Sequence, residues 1–135
     1  LETNKIILPK NVYVANSTQD NSAELVPVQD VNKNKMILDI ELSEEVRSIS
    51  NHNYIIWNGP LGIFEIEQFS NGTKQLINFL ENSSSKVIAG GGETIYAISK
   101  FSDIKKFNYV STAGGAFLEY LSGYRLPSIE ALRLK

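Results

Sequence analysis

The residues best placed to do chemistry in this chain lie in three glycine-bearing stretches. The first is Trp57-Asn58-Gly59-Pro60-Leu61-Gly62-Ile63-Phe64-Glu65. Two glycines and a proline hold the backbone to a tight path. Asn58 offers an amide, and Glu65 can accept hydrogen bonds from sugar hydroxyls. The second is Ala89-Gly90-Gly91-Gly92-Glu93-Thr94. Successive glycines let backbone N–H groups approach an anion closely, and a helix opening here adds the partial positive charge of its N-terminus. Thr94 supplies a hydroxyl. Glu93 is informative: a carboxylate beside phosphate repels it unless a cation stands between them, and a hard, oxygen-preferring ion such as Mg²⁺ suits that place. The third, Ser111-Thr112-Ala113-Gly114-Gly115-Ala116, again runs from hydroxyls to glycines. Its N–H groups suit an oxyanion passing between donor and acceptor. No stretch has the Lys of a P-loop or the spacing of a dinucleotide fingerprint. Each alone also fits an ordinary turn; three in one chain argue against coincidence.

Such stretches act together only if strands and helices bring them to one place. Tyr54-Ile55-Ile56-Trp57, Lys86-Val87-Ile88-Ala89 and Asn108-Tyr109-Val110-Ser111 read as strands, the first two as apolar runs buried in a sheet. Helices are expected over 67–81 (Phe69, Leu76, Ile77 and Leu80 on one face), 94–101 (Ile95 and Ile98 inward) and 116–121, the last ending at Gly123. Pro127 opens a final helical turn or two over 128–132. Strands alternating with helices predict a parallel sheet, whose strand-to-helix junctions all open at the carboxyl edge where ligands bind. The first third is different. Lys5-Ile6-Ile7-Leu8-Pro9, Asn11-Val12-Tyr13-Val14-Ala15, Leu25-Val26-Pro27-Val28 and Met36-Ile37-Leu38-Asp39-Ile40 read as short strands, the third at an edge because of its proline. Polar loops fall at 16–22 and 32–35, and Ser43 caps a helix over 44–50. The expected class is α/β: a three-layer, Rossmann-like parallel sheet with an added β-hairpin region near the N-terminus.

Bulk properties narrow the function classes. A chain of 135 residues, 42% hydrophobic, is long enough for a core, and one domain is the default. Thirteen basic and fifteen acidic residues are well mixed, for a net charge of −2, so no basic stripe points to nucleic acid. Cysteine is absent, which excludes disulfides and thiolate metal sites. No run approaches the length of a membrane span, so a cytoplasmic protein with no membrane partner is expected. The sequons at Asn16, Asn71 and Asn82 read as chance matches in an Asn-rich chain. His52, the single histidine, sits in a polar loop with no evident partner and reads as structural or solvated. Trp57 reads as core, and Tyr96, Tyr109, Tyr120 and Tyr124 as packing residues. The opening Leu1-Glu2-Thr3-Asn4-Lys5 enters a strand-like run almost at once, as if cut from a longer protein.

In order along the chain, Ile56-Trp57-Asn58-Gly59-Pro60-Leu61-Gly62-Ile63-Phe64-Glu65, Asn71-Gly72-Thr73, Gly90-Gly91-Gly92-Glu93-Thr94, Ser111-Thr112-Ala113-Gly114-Gly115-Ala116-Phe117-Leu118-Glu119 and Gly123-Tyr124-Arg125-Leu126-Pro127 resemble the phosphoglycerate kinases. The resemblance is strong over 54–132 and weaker over 5–40, and the ordered set is more specific than any one motif. It implies a partial C-terminal, nucleotide-binding domain of a two-domain, monomeric, glycolytic transferase. Such an enzyme moves a phosphoryl group between 1,3-bisphosphoglycerate and ADP, giving 3-phosphoglycerate and ATP, with Mg²⁺. By position, Glu65 matches the ribose-binding Glu, and Asn58, Gly59 and Pro60 the loop beside the sugar and phosphates. Gly90, Gly91, Gly92, Glu93 and Thr94 match the phosphate and metal loop. Ser111, Thr112, Gly114 and Gly115 match the helix start that meets the transferred phosphoryl group.

Two departures stand out. The metal position, Asp in the family, is Glu93 here, and the extra methylene moves the carboxylate by roughly an ångström. The third loop has Ala113 for a Gly, which matters only if that residue needs a positive φ. The resemblance also implies that the phosphoglycerate-binding domain is absent. On that reading the chain alone is inactive, residues 127–135 reach toward the absent domain, and sheet and helix surfaces are left bare. A non-catalytic nucleotide-binding module is the alternative, and a structural piece that binds nothing is a third.

Overall fold

The computed structural model describes residues 6–133, which form two compact units. The first comprises the chain up to Asn53 together with Pro60–Ser85; the second comprises Tyr54–Gly59 and the chain from Lys86 onward.

The first unit is built on an antiparallel sheet in the order β2-β1-β3, with β1 at Asn11–Ala15, β2 at Glu24–Pro27 and β3 at Met36–Ile40. The expected hairpin is present as β1 and β2, and Pro27 lies on an edge strand, where its missing N–H costs no ladder bond. Residues 6–9 form no strand, contrary to expectation. β-propensity yields a strand only where a ladder partner exists, and among the described residues Ile6, Ile7 and Leu8 have none and remain exposed. Lys5 lies outside the described residues. The register of β1 and β3 shifts between Tyr13 and Val14, where a bulge lets both Leu38 and Asp39 be buried. Leu38, Ala15 and Phe69 form the core, with Ala23, Ile63 and Ile66 packed around it.

Ser43 caps α1 (Glu44–Arg47) by accepting from Val46 N, and the segment continues as a 3-10 turn over Ser48–Asn51. His52 closes that turn, its Nδ1 standing 2.9 Å from the Ile49 carbonyl oxygen, so it has the partner that was not evident from sequence. The helix expected over 67–81 is broken at Ser70. A 3-10 turn, Glu67–Phe69, precedes α2 (Asn71–Glu81), and the Ser70 hydroxyl donates back to Glu67 O. A serine that bonds its own upstream carbonyl competes with helix propagation. α2 packs against β3, with Ile77 and Leu80 buried.

The second unit is a parallel sheet in the order β4-β5-β6: Tyr54–Asn58, Lys86–Gly90 and Tyr109–Ser111. α3 (Gly92–Phe101) follows β5 and buries Thr94, Ala97 and Ile98. α4 (Gly115–Leu121) follows β6 and ends at Gly123, whose φ of 84° and N–H bond to Tyr120 O make the expected cap. α5 spans Pro127–Arg133. Ile55, Trp57, Val87 and Ala89 line the covered face of the sheet, where the Trp57 and Phe107 rings lie 6.0 Å apart.

The other face corrects the expectation of fully buried strands. Tyr54, Ile56 and Tyr109 are exposed, and Lys86 Nζ sits over the Tyr54 ring. A parallel strand is buried on both sides only where helices cover both. Here Phe117 of α4 lies against Gly90 at the carboxyl end of β5, while Tyr54, Ile56 and Tyr109 stay bare. Tyr96, Tyr120 and Tyr124, expected at packing positions, are likewise more than half exposed. Bare apolar surface was implied by the resemblance. No helix among the described residues is long and apolar enough to cross a membrane.

Candidate functional site

In the second unit the parallel register sets Asn58 beside Gly90 and Gly90 beside Ser111, so the carboxyl ends of all three strands stand level. The loops leaving them are tied together by short-range geometry. Gly91 N donates to Ser111 O (3.0 Å), joining the second loop to the third strand. Gly59 N donates to Thr94 Oγ1 (2.8 Å), joining the first loop to the second. Thr94 is buried, so its oxygen braces the loops as well as lying at the site. Trp57 Nε1 donates to Gly59 O (2.6 Å), which anchors the end of β4 to the core.

Glycine is required where the loops meet. A Cβ on Gly91 would lie 3.1 Å from Asn58 Oδ1, and one on Gly114 only 3.2 Å from Gly91 Cα. The Asn58 amide oxygen therefore stands among Gly90, Gly91 and Gly114. Gly91 has φ 99° and ψ 146°, a region open essentially to glycine alone. Its turn starts α3 with Ile95 N bonded to Gly91 O, so the N–H groups of Gly92, Glu93 and Thr94 precede the first intrahelical bond. Gly92 and Gly115 both face open space. Donors, helix charge and room for an oxyanion thus coincide at one edge.

In the third loop, Ser111 Oγ exchanges hydrogen bonds with the backbone of Ala113, accepting from its N and donating to its O. Thr112 is exposed. Among the described residues no non-glycine has a positive φ, so Ala113 is accommodated without strain. Glu93 is exposed at the first turn of α3. Among the described residues no cluster of three His, Cys, Asp or Glu could hold a metal by itself. A single carboxylate beside a phosphate site still fits Mg²⁺, which takes one or two protein carboxylates and completes its shell with phosphate oxygens and water.

Pro60 and Glu65 belong to the first unit. There the turn after Pro60 is held from two sides. Leu61 N donates to Thr73 Oγ1 (2.9 Å), whose hydroxyl donates in return to Leu61 O. Ile63 N donates to Leu38 O (2.9 Å). Phe64 is buried, and Glu65 is exposed next to it. Reading the glycine loops alone misses Thr73 and Asp39, which hold this segment. The available signal was a lone carboxylate inside the apolar run Met36–Ile40.

One consequence is testable at once. Trp57→Phe removes the bond to Gly59 O and leaves a small void, and is expected to cost about 1–2 kcal/mol in urea denaturation followed by circular dichroism. An unchanged midpoint would show that the indole does not anchor the loop.

The family model for phosphoglycerate kinase matches residues 1–124. Among curated relatives, the phosphoglycerate kinase of Francisella philomiragia is 44% identical over 134 residues, covering 96% of this chain and 34% of the relative. That of a Psychrobacter species is 40% identical over 146 residues, covering 98% and 36%. The solved phosphoglycerate kinase of Coxiella burnetii superposes with a TM-score of 0.79 at 39% identity, over 92% of this chain and 33% of that one. The Pyrococcus horikoshii enzyme gives 0.77 at 30% identity, over 93% and 32%. The chain thus spans about a third of the length of the relatives it matches.

Proposed function

Because the chain belongs to the phosphoglycerate kinase family, we propose that its glycine loops bind the phosphates of ADP and ATP. The whole protein would then transfer a phosphoryl group between 1,3-bisphosphoglycerate and ADP. The observation that carries this reading is the level edge of Asn58, Gly90 and Ser111, with open N–H groups at the start of α3. In the forward direction the bond from phosphorus to the acyl oxygen of 1,3-bisphosphoglycerate breaks and a bond from phosphorus to a terminal oxygen of ADP forms. The products are 3-phosphoglycerate and ATP. Such a transfer needs positioning and charge stabilisation more than covalent help.

Roles divide by loop. Glu65 accepts from the ribose hydroxyls, with Asn58, Gly59 and Pro60 beside the sugar and phosphates. Gly90, Gly91, Gly92 and Thr94 form the phosphate cradle. Glu93 is the residue that would hold Mg²⁺, which when bound offsets phosphate charge as a Lewis acid. Ser111, Thr112, Gly114 and Gly115 present donors to the phosphoryl group in transfer. On this reading the phosphoglycerate site would belong to a further, N-terminal domain toward which the segment from Pro127 would reach; Leu134 and Lys135 lie outside the described residues. The protein acts in the cytoplasm as a monomer, without nucleic acid or membrane partners.

Calorimetry of the 135-residue chain with Mg-ADP tests the reading. Binding at millimolar concentration or tighter is expected, weakened at least tenfold by Glu65→Ala. Glu93→Gln should weaken Mg-ADP while leaving metal-free ADP nearly unchanged. No turnover is expected from the chain alone in a coupled assay. A second reading is a nucleotide-binding module without catalysis. Activity restored by adding the N-terminal portion of a longer relative would decide for the enzyme. Absence of any binding heat would remove both readings.

A further inference from the structure

Asp39 has the most unusual environment of any charged side chain described. It lies in β3 with 1% of its surface exposed. Its Oδ1 accepts from Ile40 N (2.9 Å), and its Oδ2 accepts from Gly72 N (2.8 Å) at the first turn of α2. Burial pushes its carboxyl above the ordinary value, against the opposing pull of the N–H groups of Gly72, Ile40 and Asn71. Two glycines leave the room it fills. A Cβ on Gly62 would stand 2.3 Å from Asp39 Oδ1, and one on Gly72 2.6 Å from the same atom. Gly62 has φ 60°. The carboxylate therefore sits between a strand, a helix start and the turn at residues 61–63.

That turn is the one that leads to Glu65. Next to Asp39, Leu38 O accepts from Ile63 N, and next to Gly72, Thr73 Oγ1 holds both polar groups of Leu61. A buried carboxylate with bonded oxygens and close-packed glycines is a rigid spacer: it can neither shift toward the turn nor let the turn collapse onto the helix. We propose that Asp39 is a positioning residue for segment 60–65. Its carboxylate fixes the turn against the start of α2, and through it sets where Pro60 and Glu65 stand. This rests on the reading of Glu65 as a nucleotide contact, but the clamp itself is tested without nucleotide.

Amide hydrogen exchange of the free chain supplies that test. Asp39→Asn keeps the size but turns an N–H group toward one of the two donors. The Leu61 and Ile63 amides are expected to exchange at least tenfold faster in this variant than in Ile77→Val, compared at denaturant concentrations that give both the same folded fraction. Equal rates in the two variants overturn the clamp. If Asp39→Asn does not fold, the wild-type chain still decides. The Gly72, Leu61 and Ile63 amides should be protected within tenfold of those of Val12 and Val14. Rates of an exposed loop would overturn the proposal.

Mg-ADP affinity then tests the link to the site. Asp39→Asn should weaken binding several-fold in the wild-type background and clearly less in Glu65→Ala. The same loss in both backgrounds overturns the link between Asp39 and Glu65. A wild-type chain that binds no Mg-ADP removes the nucleotide reading, and the exchange result stands apart from it.

Discussion

Gly91→Ala is expected to weaken Mg-ADP binding by tenfold or more and to destabilise the second unit by about 1–3 kcal/mol. Two separate effects lie behind this. The backbone at φ 99° and ψ 146° disfavours any side chain. The added methyl would also stand 3.1 Å from Asn58 Oδ1, close enough that the amide must give way. Asn58 and the open N–H groups at the start of α3 would then lose their relative placement, and an anion held by several donors at once is sensitive to that. Gly92→Ala is the control. Nothing lies within 4 Å of its Cβ, and it begins a helix. It should leave stability unchanged or raise it by about 0.5 kcal/mol. Calorimetry and urea denaturation of both variants separate strain from ligand contact. Equal stability for the two would show that the Gly91 conformation is not required.

The loops were legible in the sequence because their chemistry is local. Glycine runs behind apolar strands announce close backbone approach, and the order of strands and helices places them on one edge. The parallel sheet β4-β5-β6, the hairpin β1-β2, the Ser43 cap and the Gly123 cap all follow from local patterns of this kind. What failed depended on partners at a distance. Residues 6–9 have strand-forming side chains and no ladder in the described chain. Tyr54 and Ile56 look like buried strand residues, but burial requires cover on their face, and both remain exposed. The interruption at Ser70 was hidden because Phe69, Leu76, Ile77 and Leu80 keep a helical spacing across it.

The candidate site divides in the same way. Asn58, Gly91, Gly114 and Ser111 could be grouped from sequence alone, since each lies at or just past a strand end. The bracing could not. Thr94 holding Gly59, Thr73 holding Leu61 and Asp39 holding Gly72 each link positions more than ten residues apart. Single-sequence periodicity carries no record of such pairs. Family membership rests on the ordered set of motifs, and the comparisons agree with it.

Gly62→Ala is expected to be among the most damaging small substitutions in the first unit, at about 3–7 kcal/mol. A left-handed residue that acquires a side chain costs about 1 kcal/mol. The new methyl would fall 2.3 Å from Asp39 Oδ1, 2.6 Å from its Cγ and 2.7 Å from Phe69 O. Overpacking of a filled interior adds about 1–3 kcal/mol, and displacing a buried carboxylate from its N–H donors adds about as much again. Gly123→Ala isolates the backbone part, because it too has a positive φ but nothing within 4 Å. It should cost about 1 kcal/mol. The steric part has its own signature. In the double variant Gly62→Ala with Asp39→Ala, the methyl enters the space that the carboxylate leaves. The combined loss should therefore be smaller than the sum of the two single losses by about 1 kcal/mol or more. Additive losses in urea denaturation would mean that Gly62 and Asp39 do not compete for one volume, and the clamp on the turn before Glu65 would have to be abandoned with them.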